Sequence, residues 1–294
     1  MITEIAPAPG PVVAEPARPR KKRRAWDEAP RWQIYVPLSI YLLFTLIPFY
    51  WILLFALRPP GSTSLVPWPM TFDHFEKVWN ERSFGVYFQN SVLVGVATLV
   101  MTTLVALAGG YALARFDFRV KKAFMLALLC TQFVPGALLL VPLFEIFANL
   151  RMINSLVSVI IAETVFQLPL SMILISGFIR NVPYSLEEAA WVDGCNRFTA
   201  FRIVVLPLLR PGLIAVGSFA FVHAWNHFLF ALMFLSDQSK QTIPVGLNTL
   251  MSADSVDLGA LAAGGIIAAV PVVIVFAFIQ KWLITGFSAG AVKG

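Results

Sequence analysis

Six apolar segments, each long enough to cross the hydrocarbon core of a bilayer, constrain the fold of this chain more than any other feature. The first runs from Ile34 to Leu57 without a charged residue. A helix rising about 1.5 Å per residue gives it a length of roughly 36 Å. Because backbone groups in lipid must be hydrogen-bonded within the protein, we predict an all-α membrane protein with six transmembrane helices. The other five segments run approximately over Val86–Ala114, Ala123–Ala148, Ser155–Ile179, Leu213–Leu235 and Leu258–Ile279.

The composition supports a membrane protein and argues against several other classes. Of the 294 residues, 58% are hydrophobic and only 13% are charged, which is too little charge to cover a soluble domain of this size. Cys130 lies in an apolar run and Cys195 in a polar loop, so the cysteines indicate neither a disulfide nor a metal pair. The sequence has no Walker phosphate loop, and its net charge of +6 is typical of membrane topology rather than of nucleic-acid binding.

The distribution of lysine and arginine predicts the orientation of the chain. With the N-terminus inside, 17 of the 22 Lys and Arg residues lie in inside segments and five in outside loops. This bias predicts that both termini are cytoplasmic. We divide the chain into a disordered basic tail (1–33), a six-span membrane domain (34–285) and a cytoplasmic C-terminal tail (286–294). A cleaved signal peptide is the alternative for the N-terminus, but the first apolar run is too long for the core of one.

The inside loop at residues 180–212, between the fourth and fifth spans, is the most informative part of the sequence. Ser185 and Glu188 fit the S-x-x-E pattern of a capping box, which predicts a short helix starting there. Gly194 is expected to end this helix in the left-handed conformation, and Pro207 helps to turn the chain back into the membrane. Such a helix either docks on a partner protein or lies along the membrane surface.

This loop also carries a family resemblance. The segment Glu188-Ala189-Ala190-x-x-Asp193-Gly194, with Leu206-Pro207-Leu208 after it, resembles the EAA loop of ATP-binding-cassette import permeases. Within that family it is similar to the carbohydrate branch, the maltose-type second permease subunit. The resemblance implies a type I importer permease architecture, with a cytoplasmic coupling helix seated in a groove of an ATPase. The residues that it implies for this contact are Ser185, Glu187, Glu188, Ala189, Ala190, Asp193, Gly194, Leu206 and Pro207.

Further segments extend the resemblance to roughly Ile34 through Gly294. They are Asn90-Ser91, Gly110 to Arg115, Pro135-Gly136, Pro142-Leu143, Trp225-Asn226-x-Phe228 and Thr242-x-Pro244-Val245-Gly246-Leu247. The C-terminal residues resemble a tail that reaches between the ATPase subunits, with contacts implied for Gly290, Val292, Lys293 and Gly294. His227 is a departure, because related chains usually carry an acid after the Trp-Asn pair.

The resemblance implies partners as well. They are a second homologous permease, a dimer of ATPase subunits, an extracytoplasmic sugar-binding protein and membrane lipid, with no nucleic acid. ATP and Mg²⁺ would be bound by the ATPase subunits. This chain is therefore expected to hold no cofactor and to act as a non-catalytic, multi-pass subunit of the bacterial cell membrane.

Five polar residues within the predicted spans are candidates to line a substrate cavity, because polar groups in a bilayer are costly and often functional. Glu163 and Gln167 lie one turn apart in the fourth span, and His223, Asn226 and His227 share one face of the fifth. The alternative for both groups is an interhelical polar contact that stabilises the bundle. No Cys or carboxylate accompanies the histidines locally, so no metal site is expected.

The function that these observations favour is that of a permease subunit of an importer for a mono-, di- or oligosaccharide. In it, closure of the ATPase would drive alternating access. One alternative keeps the machinery and transports a glycerophosphodiester. Another, from a different class, is a secondary transporter driven by protons through Glu163 and the histidines. An intramembrane enzyme is disfavoured, since no nucleophile–base or metal constellation is evident.

Overall fold

The structure is a computed structural model that describes residues 30–251 and 256–291, the last eleven as backbone only. The tail predicted over residues 1–33 therefore lies almost wholly outside the described residues. The same holds for Val292, Lys293 and Gly294 of the predicted ATPase contact, whereas Gly290 lies within the last helix. The part of the chain that is described is helical, with no β-strand.

The chain divides into two units, residues 1–49 and residues 50–294. The described residues of the first unit form the beginning of helix α1 (Arg31–Leu57), which starts three residues before the predicted span. Within this unit the apolar side chains of α1 are exposed on all sides, including Tyr41 and Phe44. A helix that is apolar all round is typical of a span in contact with lipid.

Twelve further α-helices lie in the second unit, within residues 50–251 and 256–291. They are α2 (Asp73–Glu76), α3 (Phe84–Arg115), α4 (Lys121–Thr131), α5 (Leu140–Asn149), α6 (Leu156–Arg180), α7 (Ser185–Val192), α8 (Arg197–Ala200), α9 (Leu206–Leu208), α10 (Arg210–Asn226), α11 (Leu229–Phe234), α12 (Ile243–Met251) and α13 (Leu258–Ala291). Single π-helical turns occupy Lys77–Glu81 and Phe201–Val205, and 3₁₀ turns occupy Gly136–Leu139 and Gln238–Lys240.

Four of the described helices, α1, α3, α6 and α13, are long and apolar enough to cross a membrane. Two further pairs pass the same test together but are bent. Lys121–Thr131 meets Gly136–Asn149 at 94°, and Arg197–Leu208 meets Arg210–Asn226 at 74°. The described residues thus contain four spanning helices, or up to six if each bent pair is one span. The count of six stays a prediction.

The third and fifth predicted spans are wrong as continuous helices. Within Ala123–Ala148, α4 ends before Pro135, which takes an extended conformation with ψ 125°. Proline has no backbone N–H to donate and disfavours the helical conformation in the residue before it. Within Leu213–Leu235, α10 ends at Asn226 and His227 is extended, so α11 is a separate helix.

Helices α3, α6 and α10 form the centre of the second unit through close backbone approaches. A Cβ added at Gly110 of α3 would lie 2.9 Å from the Ile175 Cβ and 3.1 Å from the Ser176 backbone nitrogen of α6. A Cβ added at Gly95 would lie 2.8 Å from the Phe221 ring of α10. Small residues at such crossings are how membrane helices gain packing contacts.

Helix α12 lies in the connection between the fifth and sixth predicted spans and packs on α3. A Cβ added at Gly246 would lie 2.3 Å from the Tyr87 ring of α3, and the Ile243 N–H donates to Ser91 Oγ at 2.9 Å. Ile243 and Val245 are buried. The N-terminal part of α3 is therefore covered by a short helix that the sequence analysis did not predict.

Candidate functional site

Helix α7 forms in the inside loop as expected, but the predicted capping box is wrong. Tyr184 is the N-cap residue and makes no side-chain cap, while Ser185 is already inside the helix. The backbone N–H groups of Glu187 and Glu188 both donate to the Tyr184 carbonyl. The turn starts earlier because the Pro183 carbonyl already accepts the Leu186 N–H, at 3.2 Å.

Gly194 ends α7 as predicted. Its φ is +90°, in the region that glycine adopts without steric cost. The Gly194 N–H donates to the Trp191 carbonyl at 3.0 Å, and the Cys195 N–H donates to the Ala190 carbonyl at 2.9 Å. This pair of bonds is the Schellman motif, which satisfies the last carbonyls of the helix and reverses the chain toward α8.

Glu187 fixes α7 to the inner end of α3. Its side chain is fully buried, and its Oε1 lies 2.6 Å from Arg115 Nε. Tyr111 donates its hydroxyl to the other carboxylate oxygen at 2.7 Å, and Arg115 also donates to the Val182 carbonyl at 2.9 Å. Sequence reasoning missed Tyr111 and Arg115 as partners, although their four-residue spacing on α3 puts them on one face.

The other predicted contact residues of α7 form its exposed face. Glu188, Ala189 and Asp193 are exposed, Ala190 is half-buried, and Val192 is 87% exposed. Beyond the Gly194 turn, Asn196 caps α8 by accepting the Thr199 N–H at 2.8 Å. Leu206 is half-buried and Pro207 is exposed in α9. One face of α7 is thus held by Glu187, while the opposite face has no partner within the described residues.

A second candidate site is a cleft between α6 and α10. It has a volume of about 720 Å³. Four of the five predicted cavity residues line it, namely Gln167, His223, Asn226 and His227, together with Leu170, Ser171, Leu174, Val216, Phe219 and Val222. Asn226 donates its amide to the Val222 carbonyl at 2.8 Å, which leaves its amide oxygen available. Sequence reasoning missed Ser171, which adds a hydroxyl.

Glu163 lies behind this cleft and contacts both histidines. It is fully buried, with Oε2 3.0 Å from His223 Nδ1 and Oε1 2.7 Å from His227 Nδ1. The second contact has the length of a hydrogen bond but poor alignment for one, so we describe it as an ion-pair contact. The imidazole rings stack with centroids 5.2 Å apart. No carboxylate lies near the histidines in the sequence, and Glu163 reaches them from another helix.

This cluster does not have the geometry of a metal centre. Zinc would lie about 2.0–2.2 Å from each histidine nitrogen and carboxylate oxygen. Here the nitrogens and oxygens contact one another directly at 2.7 and 3.0 Å, which leaves no room for an ion between them. Within the described residues no group of His, Cys, Asp and Glu is arranged to hold a metal ion.

A third polar cluster lies beside the N-terminal ends of α3 and α13 and was not predicted. Lys77 Nζ lies 2.8 Å from Asp257 Oδ2, and Asp257 also accepts the Ala260 N–H at 3.0 Å. Burial raises the pKa of Asp257, but the hydrogen bonds from Lys77 and Ala260 and the nearby His74 outweigh it, so this pKa lies below its usual value. The pair connects the first outside loop to the start of α13.

The apolar helices, the α7 helix with one exposed face and the largely apolar cleft with its few polar side chains are together typical of a multi-span membrane transport protein. The diacetylchitobiose uptake system permease of Streptomyces coelicolor is 35% identical over 88% of this chain and 95% of its own length. The trehalose transport system permease of Mycobacterium tuberculosis is 30% identical over 85% of this chain and 93% of its own. In fold the chain is similar to a bacterial importer of alginate, with a TM-score of 0.72 and 20% identity over 86% of this chain and 98% of that one.

Residues 105–288 match the family described as the binding-protein-dependent transport system inner membrane component. The chain belongs to this family. It is therefore an ATP-binding-cassette transporter permease, a non-catalytic multi-pass component of the inner membrane that works with a binding protein. The sequence resemblance drawn from the EAA loop is confirmed.

Proposed function

We propose that the chain is a permease subunit of an ATP-driven importer for a mono-, di- or oligosaccharide and that α7 is its coupling helix. The observation that carries this proposal is the two-sided environment of α7. The buried Glu187 ties the helix to Arg115 of α3, and the opposite face exposes Glu188, Ala189 and Val192. A helix fixed to a span on one side and free on the other can transmit the motion of a docked ATPase.

The contacts around α7 give this motion two routes into the membrane. One route runs through the Arg115–Glu187 ion pair to α3, which packs along α6. The other runs through α8, α9 and the buried Val205 to α10, which begins directly after α9. Because α6 and α10 line the cleft, displacement of α7 on ATPase closure would change the cleft, as alternating access requires.

The proposed cargo follows from the cleft and the relatives. Diacetylchitobiose and trehalose in the names of those relatives are uncharged sugars, and the cleft offers amides, imidazoles and a hydroxyl from Gln167, Asn226 and Ser171 beside the histidines. Phe219 adds an apolar surface. Among the described residues that line the cleft there is no Lys or Arg. A phosphate group would favour such a residue, so a glycerophosphodiester is the weaker proposal.

The proposed orientation has both termini in the cytoplasm. The excess of Lys and Arg in segments on the same side as α7 supports it. In this orientation α7 faces the ATPase, and α2, α12 and the Lys77–Asp257 pair face the binding protein. The permease would pair with a second, homologous permease across the membrane.

Affinity purification from the native host in mild detergent tests the whole proposal. Near-stoichiometric recovery of an ATPase, a second multi-span permease and a binding protein would support it. The binding protein would then be screened with labelled sugars to identify the cargo. Recovery of the chain alone, well folded and in good yield, would contradict it.

The second candidate, a proton-coupled secondary transporter, conflicts with membership of this family, although the Glu163–His223–His227 contacts are of a kind that can relay protons. The two candidates differ in their energy source. Uptake into ATP-depleted vesicles under an imposed proton gradient would support the second candidate. Uptake that requires ATP and ignores the gradient would exclude it.

Substitution of Gly194 tests the coupling role of α7. The φ of +90° cannot be adopted by proline, so Gly194→Pro should separate α7 from α8 and abolish ATP-driven uptake while the amount of protein in the membrane stays normal. Gly61 has a comparable φ of +76° and equally open surroundings in an outside loop. Gly61→Pro is therefore the matched control, and uptake should persist in it. Normal uptake by the Gly194→Pro variant would contradict the coupling role of α7.

A further inference from the structure

Glu163 contacts both histidines of the cleft without facing the cleft itself. It is fully buried and is not among the lining residues, whereas His223 and His227 both line the cleft. The Nδ1 atom of each ring is turned toward the carboxylate, at 3.0 and 2.7 Å. The remaining ring nitrogen, Nε2, is on the other edge of each imidazole and is the polar atom left to contact a ligand.

The carboxylate fixes which nitrogen carries the proton on each ring. A carboxylate only accepts hydrogen bonds, so His223 donates its Nδ1 proton to Oε2. The His227 contact is not aligned as a hydrogen bond, but an unprotonated Nδ1 would place its lone pair 2.7 Å from a carboxylate oxygen, so a proton on that nitrogen is favoured as well. A buried carboxylate next to two neutral rings would leave an uncompensated negative charge within the membrane domain, which is costly. The favoured state has one imidazolium and one neutral imidazole. One Nε2 is then a donor and the other an acceptor.

We propose that Glu163 is a positioning residue that holds His223 and His227 as a donor–acceptor pair for two adjacent hydroxyl groups of the transported sugar. This inference rests on the proposed function and goes beyond it by assigning the hydroxyl pair as the recognised group. Each sugar hydroxyl can both donate and accept, so an adjacent pair matches one donor and one acceptor. The two rings stack with their centroids 5.2 Å apart, and the Nδ1 atoms of both contact the same carboxylate.

Glu163 is the charged residue that contacts the His223–His227 pair. From α6 the facing groups are Glu163 and the neutral Gln167, and from α10 they are His223 and Asn226. Helix α11 contributes Phe230, whose ring lies 4.5 Å from that of His227. No other Asp, Glu, Lys or Arg of the described chain lines the cleft. Among the groups of the described residues that line the cleft or contact the pair, Glu163 is therefore the one carboxylate.

Glu163→Gln tests this role in the complete importer, reconstituted in proteoliposomes with its co-purified partners. The probes are radiolabelled trehalose, maltose and diacetylchitobiose and a deoxy analogue of the transported one. Loss of a charge-assisted contact should raise the uptake KM about tenfold with a smaller change in maximal rate. The dependence of KM on pH should also differ between the variant and the wild type, because the variant lacks the carboxylate that contacts both rings.

Thr164→Val is the matched control, because Thr164 is the next residue on α6, is buried and does not line the cleft. Its KM and pH profile should equal those of the wild type. In the wild type, the deoxy analogue should bind more weakly than the parent sugar. In Glu163→Gln, the two sugars should bind equally well. A Glu163→Gln variant with the KM and pH profile of Thr164→Val would overturn the proposal.

Nitrogen-15 NMR of the purified chain separates failure of this inference from failure of the proposed function. The chain has only three histidines, so the imidazole signals can be assigned. Protonated Nδ1 atoms on both cleft rings, altered in Glu163→Gln, are expected even if none of the three sugars is transported. Absence of wild-type uptake for all three would count against the proposed cargo, and unprotonated Nδ1 atoms would overturn the positioning role.

Discussion

Glu187 and Glu188 are neighbours in the first turn of α7, and the structure gives them opposite environments. Glu187 is buried against Arg115 and Tyr111, whereas Glu188 is exposed. The sequence resemblance assigned both to the ATPase contact. In the structure, Glu187 holds the helix in place, and Glu188 lies on the face that is available to a partner.

Alanine at each position should reveal this division. Glu187→Ala leaves Arg115 as an uncompensated buried charge, which should lower the free energy of unfolding by about 3–5 kcal/mol. Glu188→Ala should change it by less than about 0.5 kcal/mol, since the side chain is exposed. Thermal unfolding of the purified variants measures the difference, and uptake assays should detect a loss in both. Equal stability of the two variants would contradict the assigned roles.

At the scale of elements, the sequence predicted what local chemistry determines. Helix α7 and its Gly194 end depend on residues within a few positions, and the long apolar helices depend on length and hydropathy. Pro135 could have indicated the helix break before it, but the prediction placed this residue inside one continuous apolar span. Helix α12 was missed because its stability comes from packing on Tyr87 and Ser91 of a distant helix. Likewise, the contacts of Glu163 with His223 and His227 join residues that are 60 and 64 positions apart.

The crossing of α3 and α6 depends on the lack of a side chain at Gly110. In Gly110→Ala the new Cβ would meet Ile175 and the backbone of Ser176, so the helices must separate, at a cost of about 1–3 kcal/mol. Gly177 of α6 has no atom within 4 Å of the corresponding position. Gly177→Ala should therefore be neutral or stabilise by about 0.4–1 kcal/mol. Each kcal/mol should change the melting temperature by roughly 2–4 °C. A Gly110→Ala variant as stable as Gly177→Ala would show that the helices do not cross this closely.

At the scale of the whole molecule, the proposed mechanism requires α7 and the Lys77–Asp257 pair to face opposite sides of the membrane. The apolar helices between these two features are long enough to cross the membrane. The distribution of Lys and Arg predicts that α7 is on the cytoplasmic side. If the chain were inverted, α7 would face away from any cytoplasmic ATPase and the coupling proposal would fail as a whole. Orientation is therefore the property on which the other proposals depend.

The two native cysteines allow this orientation to be tested with little change to the chain. In a Cys130→Ser background, Cys195 remains, half-buried directly after Gly194. A membrane-impermeant maleimide should label it in inside-out vesicles stripped of ATPase and not in intact spheroplasts. Ser236→Cys, exposed in the outside loop, should show the reverse in a chain that lacks both native cysteines. Adding the ATPase back should protect Cys195 and leave the residue at 236 reactive, because α7 lies beside only the former. Labelling of Cys195 in intact spheroplasts would invert the topology and remove α7 from reach of the ATPase.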